Sequence, residues 1–242
     1  MDNDLFSVKG KVVIITGGGQ GIGEFLALGL SKRGAIVYCI DKKFKKSKNR
    51  RGLQDMLCDI TKLDEIKSVC SEIIKRNKKV DVLINNAGIT IPSNLGNYSL
   101  ESWSKTLDIN LTGAFSFTQQ VLKQMKKNHS GSIINITSLN AEFGFPNNPA
   151  YIASKGGLKM LGKSLARDWG KYGIRVNNLG PGYILTKMTE KSYRNKKKYA
   201  ARKANTMLGR WGKTSDLLGP CIFLASDASS YVTGQDIYVD GG

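Results

Sequence analysis

The chain has 242 residues, of which 40% are hydrophobic and 23% are charged, the balance expected of one globular domain in the cytoplasm with no membrane span. A single histidine, His129, and four scattered cysteines without C-x-x-C spacing argue against a Ser-His-Asp hydrolase, a disulfide scaffold and any metal site. The net charge of +18 comes from lysines spread over the whole chain, which favours a solvated basic surface over a nucleic-acid or membrane partner.

Short apolar runs alternate with amphipathic stretches from one end of the chain to the other. In chain order the expected elements are strand 11–16, helix 21–33, strand 35–41, strand 53–58, helix 63–77, strand 80–85, helix 103–128, strand 131–138, helix 150–172, strand 175–179, helix 214–225 and strand 235–240. Strands that are apolar on both faces and alternate with helices predict an α/β fold with a parallel sheet covered on both sides. We expect one domain over 1–242, with an irregular substrate-loop insertion at about 182–212.

The first strand runs directly into a glycine-rich turn, Thr16-Gly17-Gly18-Gly19-Gln20-Gly21-Ile22-Gly23. Gly17 permits a tight exit from the strand, and Gly23 lets the following helix pack close to the sheet. The helix N-terminus supplies partial positive charge for a pyrophosphate. An acid, Asp41, ends the second strand and can accept hydrogen bonds from a ribose. This context favours a dinucleotide-binding site over a purely structural turn. A literal P-loop match at 157–164 lies inside an expected helix and is interpreted as coincidence.

A tyrosine and a lysine, Tyr151 and Lys155, stand four residues apart on one face of an expected helix. A neighbouring ammonium favours the phenolate and is expected to lower the pKa of the tyrosine toward neutrality, which suits acid/base catalysis. Ser138 ends the preceding strand at the edge where open α/β sheets bind ligands, so its hydroxyl can hold a substrate oxygen. Asn110 lies among apolar residues of a long helix, as either a satisfied core group or a member of a proton relay.

Together these pieces resemble the short-chain dehydrogenase/reductase family along nearly the whole chain. The matching residues are Thr16-Gly17-xxx-Gly21-Ile22-Gly23, Asp59 after the third strand, Asn85-Asn86-Ala87-Gly88, Asn110, Ser138, Tyr151-xxx-Lys155 and Pro181-Gly182-xxx-Thr186. The resemblance implies a Rossmann-type doubly wound parallel sheet with helices on both faces, and Asn110, Ser138, Tyr151 and Lys155 as a catalytic tetrad.

The resemblance also implies where a nicotinamide dinucleotide lies. The expected contacts are Gly17, Gln20, Gly21, Ile22, Gly23 and Asp41; Asp59 and Ile60 near the adenine; Asn86, Ala87 and Gly88 beside the adenosine ribose; Tyr151 and Lys155; and Pro181, Gly182, Ile184 and Thr186 near the nicotinamide. Family members are usually homotetramers or dimers, packed through the helices that hold Asn110 and Tyr151. Relatives usually continue beyond the position of Gly242, so part of a subunit contact or site wall is expected to be missing.

Details such as Pro181-Gly182-Tyr183 and Arg210-Trp211-Gly212 look most like gluconate 5-dehydrogenase and related sugar-acid dehydrogenases. The expected reaction is hydride transfer between the cofactor and a secondary alcohol or ketone of a sugar, sugar acid or polyol. The alternative is a reductase like those of 3-oxoacyl acyl carrier proteins, whose acidic carrier would suit the basic surface. A non-enzymatic binding role is the third hypothesis.

The expected cofactor is NAD, with NADP possible. The Asp41 carboxylate would repel a 2′-phosphate, whereas Lys42 and Lys43 directly after it could neutralise one. Further lysines at 45, 46 and 48 suggest a generally solvated basic loop. Because two charges a few ångströms apart near a surface interact by roughly 4 kcal/mol, the strand-end aspartate is expected to dominate.

Overall fold

The computed structural model describes residues 4–44, 50 and 52–242. Within these ranges one parallel sheet of seven strands has the order β3-β2-β1-β4-β5-β6-β7. The strands are β1 (Val12–Thr16), β2 (Ile36–Asp41), β3 (Leu53–Leu57), β4 (Val82–Asn85), β5 (Gly131–Ile136), β6 (Ile174–Pro181) and β7 (Asp236–Val239). The Rossmann-type parallel sheet expected from the alternating pattern is therefore confirmed.

Helices cover both faces of this sheet. They are α1 (Gly21–Ser31), α2 (Leu63–Asn77), α3 (Leu100–Leu107), α4 (Gly113–Asn128), α5 (Pro149–Trp169), α6 (Glu190–Arg194), α7 (Lys196–Ala204) and α8 (Leu218–Ala225). Local chemistry marks several of their ends: Ser99 caps α3 through Ser102 N, Asn195 caps α7 through Lys198 N, and Pro149 occupies the first turn of α5.

Two apolar layers hold the helices against the sheet. Val12 and Ile14 of β1 face a cluster built with α2, α4 and α5, whereas Val13 and Ile15 face a cluster built with α1 and α8. Successive side chains of a strand point to opposite faces, so a run that is apolar at every position must be covered on both sides. Both faces of the sheet are therefore packed against helices.

Two expected elements differ from the structure. The helix expected over 103–128 is interrupted by a π-helical turn at Asp108–Thr112, which separates α3 from α4. The segment expected to be irregular contains α6 and α7 instead, because 196–204 carries good helix formers behind a capping asparagine. π-Turns inside helices frequently mark functional sites.

Candidate active site

A cavity of about 510 Å³ opens beside the carboxyl ends of β1 and β4, where the strand order reverses. Open α/β sheets bind their ligands at such switch points. Most of the expected site residues line this cavity: Gly17, Gln20, Gly21, Ile22, Asp41, Ile60, Asn86, Ala87, Gly88, Ser138, Tyr151, Lys155, Pro181, Gly182, Ile184 and Thr186. Gly23, Asp59 and Asn110 are not among its lining residues, and each lies directly behind the wall.

The glycine-rich turn forms one end of the cavity, and at several of its glycines the backbone lies too close to neighbouring elements to carry a side chain. A Cβ on Gly17, which has φ +66°, would lie 2.8 Å from Ala87 Cα, and one on Gly18 would lie 2.8 Å from Cys39 Cβ. A Cβ on Gly23 would clash with the carbonyl of Gly17 and the side chain of Asn86. The turn thus presents bare backbone and the N-terminus of α1 to the cavity, a cradle that fits a pyrophosphate.

The ends of β1 and β4 are joined by side chains that fix the floor of the cavity. Thr16 Oγ1 accepts hydrogen bonds from the amides of Asn86 and Ala87, both at 3.1 Å. Asn86 Nδ2 donates to the carbonyls of Thr16, at 2.9 Å, and Gly17, at 3.1 Å. The side-chain amide of Asn86 therefore holds the glycine-rich turn in place. Asn86 also lines the cavity.

Acidic and basic side chains meet where the cavity borders the end of β2. Asp41 Oδ2 accepts a hydrogen bond of 2.9 Å from the amide of Gly19. Lys42 Nζ lies 2.8 Å from Asp59 Oδ2. Burial opposes ionisation of Asp59, but its bonds to Lys42 and Thr61 lower the pKa of that carboxyl to about 2. Lys43 lines the cavity, whereas lysines 45, 46 and 48 lie outside the described residues.

The other end of the cavity brings together Ser138, Tyr151 and Lys155. Tyr151 and Lys155 follow one another along a face of α5, with Lys155 Nζ 5.9 Å from the centre of the tyrosine ring. Ser138 Oγ accepts a hydrogen bond of 3.1 Å from the amide of Asn140 and lies on the same part of the cavity wall as the phenol. Lys155 is 3% exposed and donates a hydrogen bond of 2.6 Å to the carbonyl of Ile136. A hydroxyl, a phenol and an ammonium thus converge on one point of the cavity wall.

The expectation that Lys155 lowers the pKa of Tyr151 is not met in this structure. Burial raises the pKa of Tyr151, and the nearby Ser138 hydroxyl opposes that rise. Burial also lowers the pKa of Lys155 to about 8. The reason is that both groups lose water, which disfavours both charged forms, and the ammonium points to a backbone carbonyl instead of the phenol oxygen.

Asn110 lies in the π-helical turn and is fully buried behind the cavity. Its Oδ1 accepts from the amide of Ile89 at 2.8 Å, and its Nδ2 donates to the carbonyl of Ile89 and to Ser154 Oγ, both at 3.0 Å. Ser154 Oγ donates in turn to the carbonyl of Tyr151 at 2.7 Å. The side chain therefore connects the segment after β4 with α5, and every one of its polar atoms is engaged.

Lys42 and Lys43, the two lysines that follow Asp41, also line the cavity, as does Met188. The lining residues that the sequence did not indicate are Ile40, Cys58, Ile89, Lys105, Ile109, Ile136, Thr137, Lys187 and Thr189. Most stand one position before or after a motif residue at a strand end, so extending each motif by one residue would have found them. Lys105 belongs to α3 and has no such neighbour.

A lobe formed by 186–211, which contains α6 and α7, begins at the cavity wall just after Ile184. Its two ends are tied together, because Gly212 N donates to Tyr183 O at 2.9 Å and Leu185 N donates to Gly212 O at 3.0 Å. Aromatic rings fill the lobe: Tyr193 contacts Tyr199 and Trp211 edge-on, and Tyr199 stacks on Trp211. Lys187, Met188 and Thr189 bring the beginning of the lobe to the cavity.

Neither a metal site nor a membrane span is found in the described part of the chain. Among residues 4–44, 50 and 52–242, no group of three His, Cys, Asp or Glu side chains is arranged to hold a metal ion. No helix within the same ranges is both long and apolar enough to cross a bilayer.

Comparison with known proteins gives consistent relatives. Residues 17–242 match a family model described as enoyl-(acyl carrier protein) reductase. The chain is 37% identical to a 3-oxoacyl acyl-carrier-protein reductase of Thermotoga maritima, over 97% of this chain and 98% of the relative. It is 35% identical to a gluconate 5-dehydrogenase of Gluconobacter oxydans, over 99% and 96%. A solved gluconate 5-dehydrogenase of Burkholderia cenocepacia, in complex with NADP and tartrate, superposes with a TM-score of 0.93 at 34% identity, covering 99% of this chain and 97% of that one.

Proposed function

The chain belongs to the short-chain dehydrogenase/reductase family and is a nicotinamide-dependent oxidoreductase, and on that premise we propose that it interconverts a secondary alcohol and a ketone of a sugar acid. One observation carries the chemistry of this proposal. Ser138, Tyr151 and Lys155 converge at one end of a cavity whose other end is a glycine cradle and a strand-end aspartate.

The residues of the chain have separate roles in this proposal. The bound nicotinamide supplies or accepts the hydride. Ser138 donates a hydrogen bond to the substrate oxygen, and Tyr151 gives a proton to that oxygen during reduction or removes it during oxidation. The Lys155 ammonium stabilises the phenolate that forms, and Asn110 keeps α5 in position through Ser154.

The substrate assignment rests on relatives that reduce or oxidise sugar acids. Beside the Gluconobacter protein, a 2-dehydro-3-deoxy-D-gluconate 5-dehydrogenase of Bacillus subtilis is 36% identical over 99% of this chain. The second candidate is reduction of a 3-oxoacyl group on an acyl carrier protein. It is favoured by the Thermotoga relative and by the many lysines and arginines between 187 and 213, which would attract an acidic carrier.

We propose NAD as the preferred cofactor, with NADP also accepted. The Asp41 carboxylate lies against the turn at the adenosine end and would repel a 2′-phosphate. Lys42, the first lysine that could offset this repulsion, is already paired with Asp59. Solved relatives include complexes with NADP, which is why the second cofactor belongs to the proposal.

The proposal extends to compartment and assembly. Four free cysteines are buried, as expected of a protein in the reducing cytoplasm. A homotetramer or dimer is proposed because exposed apolar side chains lie on α4, which follows the π-turn with Asn110, and on α5, which holds Tyr151. Phe115 and Met160 are two of them.

Nicotinamide absorbance tests the function directly. Purified enzyme is assayed against sugar acids, neutral polyols and 3-oxoacyl thioesters, each with NAD(H) and NADP(H). We expect the highest kcat/KM with a sugar acid, and a 10²–10⁴-fold loss of kcat in Tyr151→Phe with cofactor affinity almost intact. Highest efficiency with the thioester would favour the second candidate, and near-normal turnover by Tyr151→Phe would overturn the proposed acid/base role.

A further inference from the structure

Arg50 is a buried arginine in the basic run after β2, and its side chain is only 5% exposed. Its guanidinium forms a bidentate pair with Asp55 of β3, with Nε 2.7 Å from Oδ2 and Nη2 bonded to Oδ1. Nη1 donates to Glu24 of α1 at 2.9 Å, and the Phe44 ring centre lies 4.9 Å from the guanidinium carbon. These bonds raise the pKa of Arg50 further, so the side chain is a permanent cation.

The same Nη1 also donates to the carbonyl of Gly18 at 3.2 Å. This carbonyl belongs to the peptide unit whose N–H is that of Gly19, and the Gly19 N–H donates to Asp41 Oδ2 at 2.9 Å. The C=O and N–H of a trans peptide point in opposite directions. One peptide unit is therefore held at its oxygen by a buried cation and at its nitrogen by the carboxylate that ends β2.

The cation and the carboxylate reinforce each other through that peptide unit. Hydrogen bonds to charged groups are stronger than neutral ones, and bonds in a chain polarise one another. The turn has no side chains of its own to fix it at Gly18 and Gly19. A rotation of this peptide would swing the Gly19 N–H away from Asp41 and free the carboxylate to turn.

We propose that Arg50 is a positioning residue that orients the Asp41 carboxylate through the Gly18–Gly19 peptide and so sets the preference for NAD over NADP. This rests on the proposed contact of Asp41 with the adenosine ribose. Arg50 itself touches no cofactor atom in this role, because Asp55 and Glu24 hold its charge on the far side of the turn. It is not a phosphate-binding cation.

Fluorescence titration with NADH and NADPH tests the proposal in the full-length enzyme. Arg50→Gln should weaken NADH binding about tenfold while changing NADPH binding much less, so the ratio of the two dissociation constants moves toward one. kcat at saturating cofactor and substrate should stay within about twofold of wild type. Arg50→Lys should behave like Arg50→Gln, because an ammonium cannot reproduce the fork that spans Asp55, Glu24 and Gly18.

A matched control separates positioning from stability. Arg175 is another buried arginine, which bonds Ser229 Oγ at 2.6 Å and the carbonyls of Leu224 and Ser226 away from the cavity. Arg175→Gln should lower the melting temperature and leave the NADH-to-NADPH ratio unchanged. If Arg175→Gln changed the ratio of the NADH and NADPH dissociation constants as much as Arg50→Gln does, the proposal would be overturned. If Arg50→Gln folds poorly, Glu24→Gln removes a single partner and should shift the ratio in the same direction by a smaller factor.

The double variant with Asp41→Ala separates this inference from the proposed function. If Asp41→Ala alone leaves the ratio unchanged, the proposed ribose contact is wrong and Arg50 cannot act through it. If Asp41→Ala changes the ratio, adding Arg50→Gln should cause no further change, because both act on the same contact. Additive changes in the double variant would show that Arg50 acts independently of Asp41 and would overturn the inference.

Discussion

The buried ammonium of Lys155 lowers the free energy of unfolding, because it has lost most of its contact with water. It is almost fully buried and its pKa is lowered to about 8 from an ordinary value of 10.5. Between these two values the unfolded chain binds more protons than the folded chain, so the stability from this group rises with pH. Below pH 8 the buried ammonium is charged and the full cost is present. Functional sites often retain such costs because the chemistry needs the charge.

Lys155→Met should therefore stabilise the protein while removing the charge that favours the Tyr151 phenolate. Removing the buried charge should gain roughly 3 kcal/mol, and losing the hydrogen bond to Ile136 should cost about 1 kcal/mol. We expect the melting temperature at pH 7 to rise by about 5 °C, and the difference from wild type to shrink between pH 8 and 10.5. Thermal melts over this pH range provide the measurement. A difference independent of pH would show that Lys155 is not the titrating group.

Asp41 decides the cofactor in our proposal, so its replacement has a defined sign. Asp41→Ala removes the carboxylate that repels a 2′-phosphate and accepts from the ribose. kcat/KM should fall with NAD and rise with NADP, each by about tenfold. Initial rates with both cofactors on wild type and variant measure this. A wild-type enzyme with higher kcat/KM for NADP would mean that the lysines of the 42–48 run outweigh Asp41.

At the scale of elements, the lobe 186–211 is the part of the site that is built most separately from the sheet. Its rings pack mainly on one another, and the indole of Trp211 donates to the carbonyl of Tyr199 at 3.3 Å. Arg202 lies between Tyr183, Trp211 and Phe145, with 5.1 Å from its guanidinium carbon to the Tyr183 ring centre. Because Phe145 belongs to the segment that follows Ser138, this arginine links the lobe to that segment.

Trp211→Ala should loosen the lobe without unfolding the sheet. Aromatic pairs contribute about 0.5–1.5 kcal/mol each beyond burial, so loss of the indole should make cleavage within the lobe by trypsin about tenfold faster. KM for the substrate should rise more than kcat falls. In wild type, cofactor and substrate together should slow this cleavage, since a closed lobe covers them. Trp169→Ala, which removes a ring packed on Tyr172 at the end of α5, is the control for general destabilisation.

At the scale of the molecule, positive charge is concentrated beside the cavity. Between 187 and 213 ten lysines and arginines stand against one acid, Glu190. Residues 196–198 are exposed lysines on α7. A charged rim raises the local concentration of an oppositely charged substrate and the rate at which it binds. The field therefore suits a carboxylate substrate better than a neutral polyol.

Salt should affect the two substrate classes differently. With cofactor saturating, kcat/KM for a sugar acid should fall several-fold between about 20 and about 300 mM salt, while kcat/KM for a neutral polyol should change little. Replacing the lysines of 196–198 with glutamate should lower the sugar-acid value and remove most of the salt effect. Three glutamate replacements on α2, at Lys67, Lys75 and Arg76, should leave both kcat/KM for the sugar acid and its salt dependence unchanged. Equal salt effects on both classes would contradict electrostatic selection at the lobe.

The sequence alone determined the fold class and most of the cavity lining. Strand segments that are apolar at every position and alternate with amphipathic helices indicate a parallel sheet covered on both faces. In such a sheet, motifs that follow the strands meet at the carboxyl edge. The tertiary structure decided what depends on contacts between distant segments. The π-turn around Asn110 arises from bonds to Ile89 and Ser154, which local propensity does not reveal.

The lysines and arginines that follow β2, from Lys42 to Arg51, also show what only the tertiary structure decides. Their number and spacing in the sequence indicate a solvated loop. In the structure Lys42 pairs with Asp59 and Arg50 is buried against Asp55 and Glu24. The sequence likewise does not predict the pKa shift of Tyr151. The spacing places a lysine near the phenol, but the packing around them determines how much water each group loses. Partners separated by tens of residues are chosen by the fold, and no local pattern specifies them.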